Sequence, residues 1–254
     1  MNVRSQYKRG EIPGPAEPIE AFVNRCSLHR FSSSSVEVFG FSPDWIEVDY
    51  SNEGLSFFEG GCTWIGEKGA SIQLRKDFAK KKSYFGYQKE ELLAHETVHL
   101  IRQAFEEPVF EEILAYQTSS SPFRRYFGPF FRNPKESRLF LLSLLAIAVG
   151  GLFFPLSYAF LLPLLGGGFF RLFLSQRALR QARNHIGNYV GKKNALPFLI
   201  SLTDQEIFLF AKQTDLLSYA QKQTCLRWKQ LIEVYTITSF LPKMGKIHRL
   251  VQSV

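Results

Sequence analysis

The residues best suited to chemistry are His95, Glu96 and His99, in the run His95-Glu96-Thr97-Val98-His99. On a helix, positions i and i+4 share a face, so both imidazoles point the same way. That spacing lets two ring nitrogens hold one zinc ion at about 2.0–2.1 Å. Zinc lowers the pKa of a bound water to about 7, giving a nucleophile at neutral pH. Glu96 stands beside the metal, where it can take the water's proton and deliver it to a leaving amine. The chemistry predicted is hydrolysis of a peptide or protein substrate, with zinc as cofactor.

A third protein ligand is required. The extended signature HExxHxxGxxH does not continue, because Arg102 stands where its glycine would be and Phe105 where its third histidine would be. The remaining source is the acidic run Phe110-Glu111-Glu112-Ile113-Leu114-Ala115-Tyr116. Over residues 60–120 the chain resembles the gluzincin class of metallopeptidases, whose second helix carries a glutamate ligand, often with a small residue three positions on. Glu112 with Ala115 matches that phrase, so the resemblance implies His95, His99 and Glu112 as metal ligands, with Glu111 as the neighbouring candidate. Tyr116 lies one turn beyond Glu112 on the same face. Its hydroxyl is a candidate to stabilise the oxyanion on the attacked carbonyl, alongside the alternative of an aromatic packed under the site. Arg102 is expected to pair with Glu106 or to orient substrate.

These residues must be positioned by helices and a sheet. Residues 88–105 read as a helix, with Glu90 and Glu91 near its positive end. Glu106-Glu107-Pro108 breaks it, and Pro108 is predicted to open a second helix running to Thr118, where its missing N–H is not needed. Upstream, residues 36–39, 45–48, 62–65 and 70–74 have strand character, punctuated by Gly54, Gly60, Gly61, Gly66 and Gly69. This predicts a small, mostly antiparallel sheet packed on the active-site helix, a zincin-like α+β domain over residues 31–122. In zincins an edge strand at the position of residues 70–74 pairs with extended substrate; an interior strand is the alternative. Residues 76–82 read as a basic, solvated connector. Residues 1–30 read as a loose Pro-rich tail followed by a short helix over residues 19–29.

Residues 139–170 contain no charged side chain. As one helix this run is roughly 48 Å long, against a hydrocarbon core of about 30 Å. Gly150-Gly151 and Pro155 interrupt it, so a transmembrane or re-entrant hairpin is predicted over residues 139–174, with arms 139–153 and 156–174. A buried hairpin in a soluble core is the alternative, and a run this long argues against it. Arg124, Arg125, Arg132, Lys135 and Arg138 precede the run, and Arg171, Arg177, Arg180, Arg183, Lys192 and Lys193 follow it. Basic flanks on both sides place both ends in the cytosol. The net charge of +8 therefore points to an anionic lipid surface rather than to nucleic acid. The aromatics Phe123, Tyr126, Phe127, Phe130 and Phe131 suit a membrane-interface belt.

Residues 175–254 read as a helical, soluble region. It contains a capping box at Thr203-Asp204-Gln205-Glu206 and an amphipathic stretch over residues 216–235. Cys26, Cys62 and Cys225 are odd in number and scattered, which suits a reducing compartment better than a disulfide framework. No apolar stretch follows the basic N-terminal residues, so no secretory signal is expected. His29, His185 and His248 have no partner at metal-ligand spacing and are expected to be structural or surface residues. The expectation is a membrane-associated zinc metallopeptidase facing the cytosol. The alternative is a non-catalytic membrane scaffold or interaction protein in which the motif is incidental.

Overall fold

Around Tyr7 the chain is already committed to a core. In the computed structural model, which describes residues 2–32, 36–56, 59–66, 69–84 and 86–237, α1 (Val3–Lys8) packs on the last helix of the described chain, α11 (Leu226–Tyr235). The Tyr7 hydroxyl bonds the Pro197 carbonyl at 3.0 Å and the Tyr235 hydroxyl at 2.8 Å, and Ile12 is fully buried. The expected loose tail is therefore a packed segment, held by contacts with residues about 190 to 230 positions away that no local pattern announces. The next helix, α2 (Ile19–Ser27), falls where expected.

The strands form a mixed sheet rather than a mostly antiparallel one. β1 (Glu47–Tyr50), β2 (Gly61–Gly66) and β3 (Gly69–Leu74) lie in the order β1-β3-β2, with β3 parallel to β1 and antiparallel to β2. Gly69 opens β3 at φ +121°, a conformation that favours glycine. β3 is the interior strand, so it has no free edge for a substrate. Ile72 and Leu74 are buried on one face, and on the other the Gln73 amide donates to the carbonyls of Ser51 and Glu53 and accepts from Trp64. Burial on both faces is what a central position demands. Residues 36–39 form no strand beyond a single bridge between Val38 and Phe41. A short ladder, β4 (Ser83–Tyr84) with β5 (Tyr87–Gln88), leads into the site helix.

That helix, α3 (Lys89–Ile101), is a partition between two apolar clusters. Leu92, Leu93 and Leu100 join Trp45, Ile72, Leu74 and Phe78 under the sheet. Val98 and Ile101 join Phe110, Ile113, Leu114 and the C-terminal helices. The helix is shorter than the expected 88–105: residues 102–105 form turns, and Glu106 at φ +52° reverses the chain. Pro108 does not open the next helix. α4 (Glu111–Ala115) starts at Glu111, because the backbone N–H groups of Val109 and Phe110 donate to Asp204 at 2.7 and 3.0 Å. A 3-10 turn over Tyr116–Thr118 follows.

After α5 (Pro122–Phe127) come two helices long and apolar enough to cross a membrane. α6 (Pro134–Phe153) has 20 residues, about 30 Å of rise, which equals the thickness of a hydrocarbon core. Asn133 caps it, accepting from the Glu136 N–H at 2.9 Å. After a 3-10 turn over Pro155–Phe160, α7 (Leu161–Val190) runs unbroken past the expected boundary at residue 174. Its apolar first part is exposed, while Leu172, Leu179, Ala182 and Ile186 enter the core. Arg171 and Glu136 join the bases of the two helices at 2.8 and 2.9 Å.

α8 (Ala195–Ile200), α9 (Asp204–Ala211), α10 (Leu216–Gln221) and α11 pack on α7, α1 and α4, so one apolar cluster unites the C-terminal region with the site helices. The capping box forms as expected, with Thr203 and Glu206 bonding each other's backbone. Glu206 also receives Arg227 Nη1 and Nη2 at 2.8 and 2.9 Å and the Trp228 indole at 2.6 Å, all buried. Burial pushes its carboxyl pKa up, but the Arg227 bond and charge outweigh this and hold it below the usual carboxylate range. A depressed folded-state pKa contributes stability above the unfolded value of about 4.3, lost as pH falls through the folded value. Glu206→Gln should cost about 3–5 kcal/mol at neutral pH by leaving Arg227 buried without its anion. It should also flatten the acid limb of stability, read from unfolding midpoints between pH 3 and 7 in detergent. An unchanged acid limb would remove Glu206 as its source.

Candidate metal centre

His95 and His99 lie on the same face of α3, as their spacing requires. The turn over residues 102–110 then swings α4 back across that face. His95 Nε2 and His99 Nε2 stand 3.2 Å apart, and Glu112 offers Oε2 to His95 at 3.6 Å and Oε1 to His99 at 3.7 Å. Two ligands held tetrahedrally at about 2.0–2.1 Å from one ion are separated by about 3.3–3.4 Å. The three groups thus already stand near that spacing, with one donor atom from each within 4.8 Å of the others. Two imidazole nitrogens and one carboxylate are a donor set that could hold a metal ion. A metal at this point would be held by His95, His99 and Glu112.

Glu111 takes a different place. Its Oε1 lies 3.0 Å from His99 Nδ1, and its Oε2 accepts from Arg102 Nε at 2.6 Å. A carboxylate behind a ligating imidazole fixes the ring and raises its basicity. Arg102, expected to pair with Glu106, is instead completely buried. Its Nη1 donates to the carbonyls of Ile200 at 2.6 Å and Leu202 at 3.0 Å, and its guanidinium lies 4.5 Å from the Phe105 ring centre. This buried chain from α8 through Arg102 and Glu111 to His99 has no counterpart in local sequence pattern. Its one sequence sign is a cation three residues after His99.

Electrostatics differ sharply between neighbours. Burial, reinforced by the nearby His99, lowers the His95 pKa well below the ordinary imidazole value. Burial pulls His99 the same way, but the Glu111 bond and the charges of Glu112, Glu111 and Glu96 prevail and raise it to about 9. Glu111 is held down despite burial, chiefly by the Arg102 charge. Burial raises Glu112. Burial also raises Glu96, against the pull of His99 and Thr63. A divalent ion would stabilise both neutral imidazoles and the Glu112 carboxylate at once.

Glu96, 7% exposed, is oriented by Thr63 on β2, whose hydroxyl donates to Glu96 Oε2 at 2.8 Å. Sequence reading missed Thr63 because nothing local links β2 to α3. Both His95 and Glu96 border a cleft of about 210 Å3, whose rim includes Gly60, Gly61, Tyr87, Glu112 and Tyr116. The Tyr116 ring stands edge-on to His95 with centres 4.7 Å apart. It lies against Gly128, where any side chain would overlap the ring. Burial and the charge of Glu112 raise its hydroxyl pKa, so it stays protonated at neutral pH. Of the other histidines, His185 bonds the Thr214 carbonyl at 2.8 Å, a structural role, and His248 lies outside the described residues.

For a metal held by this group, Glu112→Gln should abolish tight binding, whereas Glu111→Gln should weaken it by about 10–100-fold, the usual cost of losing a partner behind a ligating histidine. Competition titration with a chromophoric chelator measures both, and the reverse ranking would exchange the two glutamates' roles. No protein-family model, curated protein or solved structure matches the chain, so its own geometry is what bears on its chemistry.

Proposed function

We propose that the protein is a membrane-tethered zinc-dependent peptidase, of gluzincin type in its ligand set, acting at the cytosolic face of a bilayer. The observation that carries this reading is the convergence of His95, His99 and Glu112 to ligand spacing at a cleft that also presents Glu96. When bound, zinc supplies Lewis acidity, lowering the pKa of water and polarising the scissile carbonyl. Glu96 takes the proton of the attacking water and passes it to the leaving amine. Its raised pKa brings it closer to the values at which proton transfer in both directions is efficient near neutral pH. Thr63 holds the carboxylate in register. Tyr116, kept protonated, donates a hydrogen bond to the oxyanion that develops on the carbonyl.

The substrate is a peptide or protein segment in extended form. It adds to the outer edge of β2, which among the described residues pairs with β3 alone and brings Gly61 to the cleft. The tether is supported by α6 and α7, whose apolar windows are only 6% buried, and by the arginines at their bases. Basic flanks at both ends support a hairpin that enters and leaves on the cytosolic side, with membrane lipid as its partner. In a membrane scaffold with an incidental motif the Arg102–Glu111 pair would serve packing alone, and the Thr63–Glu96 bond would orient a carboxylate with no reaction to serve.

Glu96→Gln should retain about one zinc at this centre and lower peptide hydrolysis by about 10²–10⁴-fold. Tyr116→Phe should lower kcat by about 10²–10³-fold with little change in KM. Steady-state assays on detergent-purified protein with a quenched peptide library test both. Zinc-independent hydrolysis, or full activity in Glu96→Gln, would overturn the reading.

A further inference from the structure

Outside the cleft, a second group of metal-capable side chains comes together on the N-terminal segment. We propose that Glu11, Cys26 and His29 form a separate divalent-metal site, suited to zinc, that locks this segment to the body of the protein. The proposal does not depend on the peptidase reading. Sequence spacing alone discounted His29, yet Cys26 and His29 are three apart at the end of α2. There the His29 N–H bonds the Cys26 carbonyl at 3.1 Å, and the turn brings both side chains to one side. Glu11 arrives from the turn after α1. Its backbone is fixed at both ends, its N–H bonding the Gln6 carbonyl and its carbonyl accepting from Gln230 on α11.

The three residues bring one donor atom each within 4.8 Å of the others. Glu11 is 1% exposed and the His29 side chain 2%. Glu11 Oε1 and His29 Nδ1 are 3.2 Å apart, close to the roughly 3.3–3.4 Å expected of two ligands on one tetrahedral zinc. The second carboxylate oxygen, Glu11 Oε2, is buried with no hydrogen-bond partner among the described residues. A buried, unsatisfied carboxylate oxygen is rare and points to a missing ion or water. Arg9 Nη1 does reach Oε1, at 3.4 Å, but the Arg9 Nε is engaged by Asp44 at 2.7 Å, and neither contact serves Oε2.

Donor chemistry selects the ion. A thiolate with an imidazole and a carboxylate favours zinc over calcium or magnesium, which prefer oxygen. Trp45 stacks on His29 with ring centres 3.8 Å apart and planes 5° from parallel, and its indole donates to the Arg9 carbonyl at 2.8 Å. The ring is thereby held in place before any metal arrives. His29 and Trp45 also border a cavity of about 510 Å3. The consequence is structural: one ion would join the turn after α1, the end of α2 and, through Trp45, the approach to β1.

Cobalt substitution separates this site from the catalytic centre, because His95, His99 and Glu112 offer only nitrogen and oxygen. Full-length protein exchanged into cobalt should show a thiolate-to-cobalt charge-transfer band in the near ultraviolet. Cys26→Ser should lose that band and one of two metal equivalents by elemental analysis. His95→Ala should keep the band and lose the other equivalent. Should Cys26→Ser fail to fold, zinc absorption spectroscopy on the unaltered protein must show a zinc–sulfur distance of about 2.3 Å. A protein with no thiolate band and no zinc–sulfur scattering overturns the proposal, whatever the fate of the peptidase reading. Loss of the band in Cys26→Ser with hydrolysis retained supports it.

Discussion

The buried guanidinium of Arg102 is the constraint on which the site's geometry depends. A fully buried cation is tolerated only where anions and carbonyls surround it. Arg102 finds one carboxylate, on Glu111, and two carbonyls, on Ile200 and Leu202. These partners come from two separate parts of the chain, so one buried charge brings the end of α3, where Arg102 stands, to the start of α4 and the end of α8. Glu111 then presents its other oxygen to His99, and Glu112, the next residue, is left facing the two imidazoles. Asp204 completes the arrangement from α9 by binding the N–H groups of Val109 and Phe110. The C-terminal helices are therefore part of the site's foundation, although among the described residues none of their side chains lines the cleft.

What could be read from the sequence was what is local and periodic. His95 and His99 sit on one face because a helix places i and i+4 together. The capping box is a four-residue pattern and the two long apolar helices are a run of uncharged residues, so both are legible, whereas Glu112 is implied by the resemblance to gluzincins. Non-local pairings were not. The position of β3 depends on which strands flank it, and its alternating residues fit an edge or a centre equally well. Pro108 has the chemistry to open a helix, but Asp204, 94 and 95 residues from the groups it binds, sets the start at Glu111 instead. The tail-like N-terminal residues look disordered by composition, yet Tyr7 and Ile12 bury against distant helices. His29 looked isolated because Glu11 reaches it through space.

The cleft is also tied to the base of the apolar helices. Glu91, on the first turn of α3, accepts from Ser119, Ser120 and Arg124, and Arg124 also bonds the Gly86 carbonyl and lies over Tyr87. Gly128 makes room for the Tyr116 ring, and Gly168 on α7 does the same for Phe130. Two glycines thus seat the Tyr116 and Phe130 rings, and Phe127 and Phe130 both meet Phe169 on the apolar part of α7.

α7 is one continuous rod that serves two environments. Its first turns are bare and apolar, and the part after Arg171 is a strut of the core, about 28 Å long to Val190 at the rise of an α-helix. Gly166-Gly167-Gly168 sits just before the junction, so the helix keeps its hydrogen bonds there with no side chain to stiffen it. The strut packs on α8 and α9, whose carbonyls and carboxylate anchor Arg102 and the turn before α4. One helix thus carries a continuous path from the bare apolar turns to the backbone that seats Arg102.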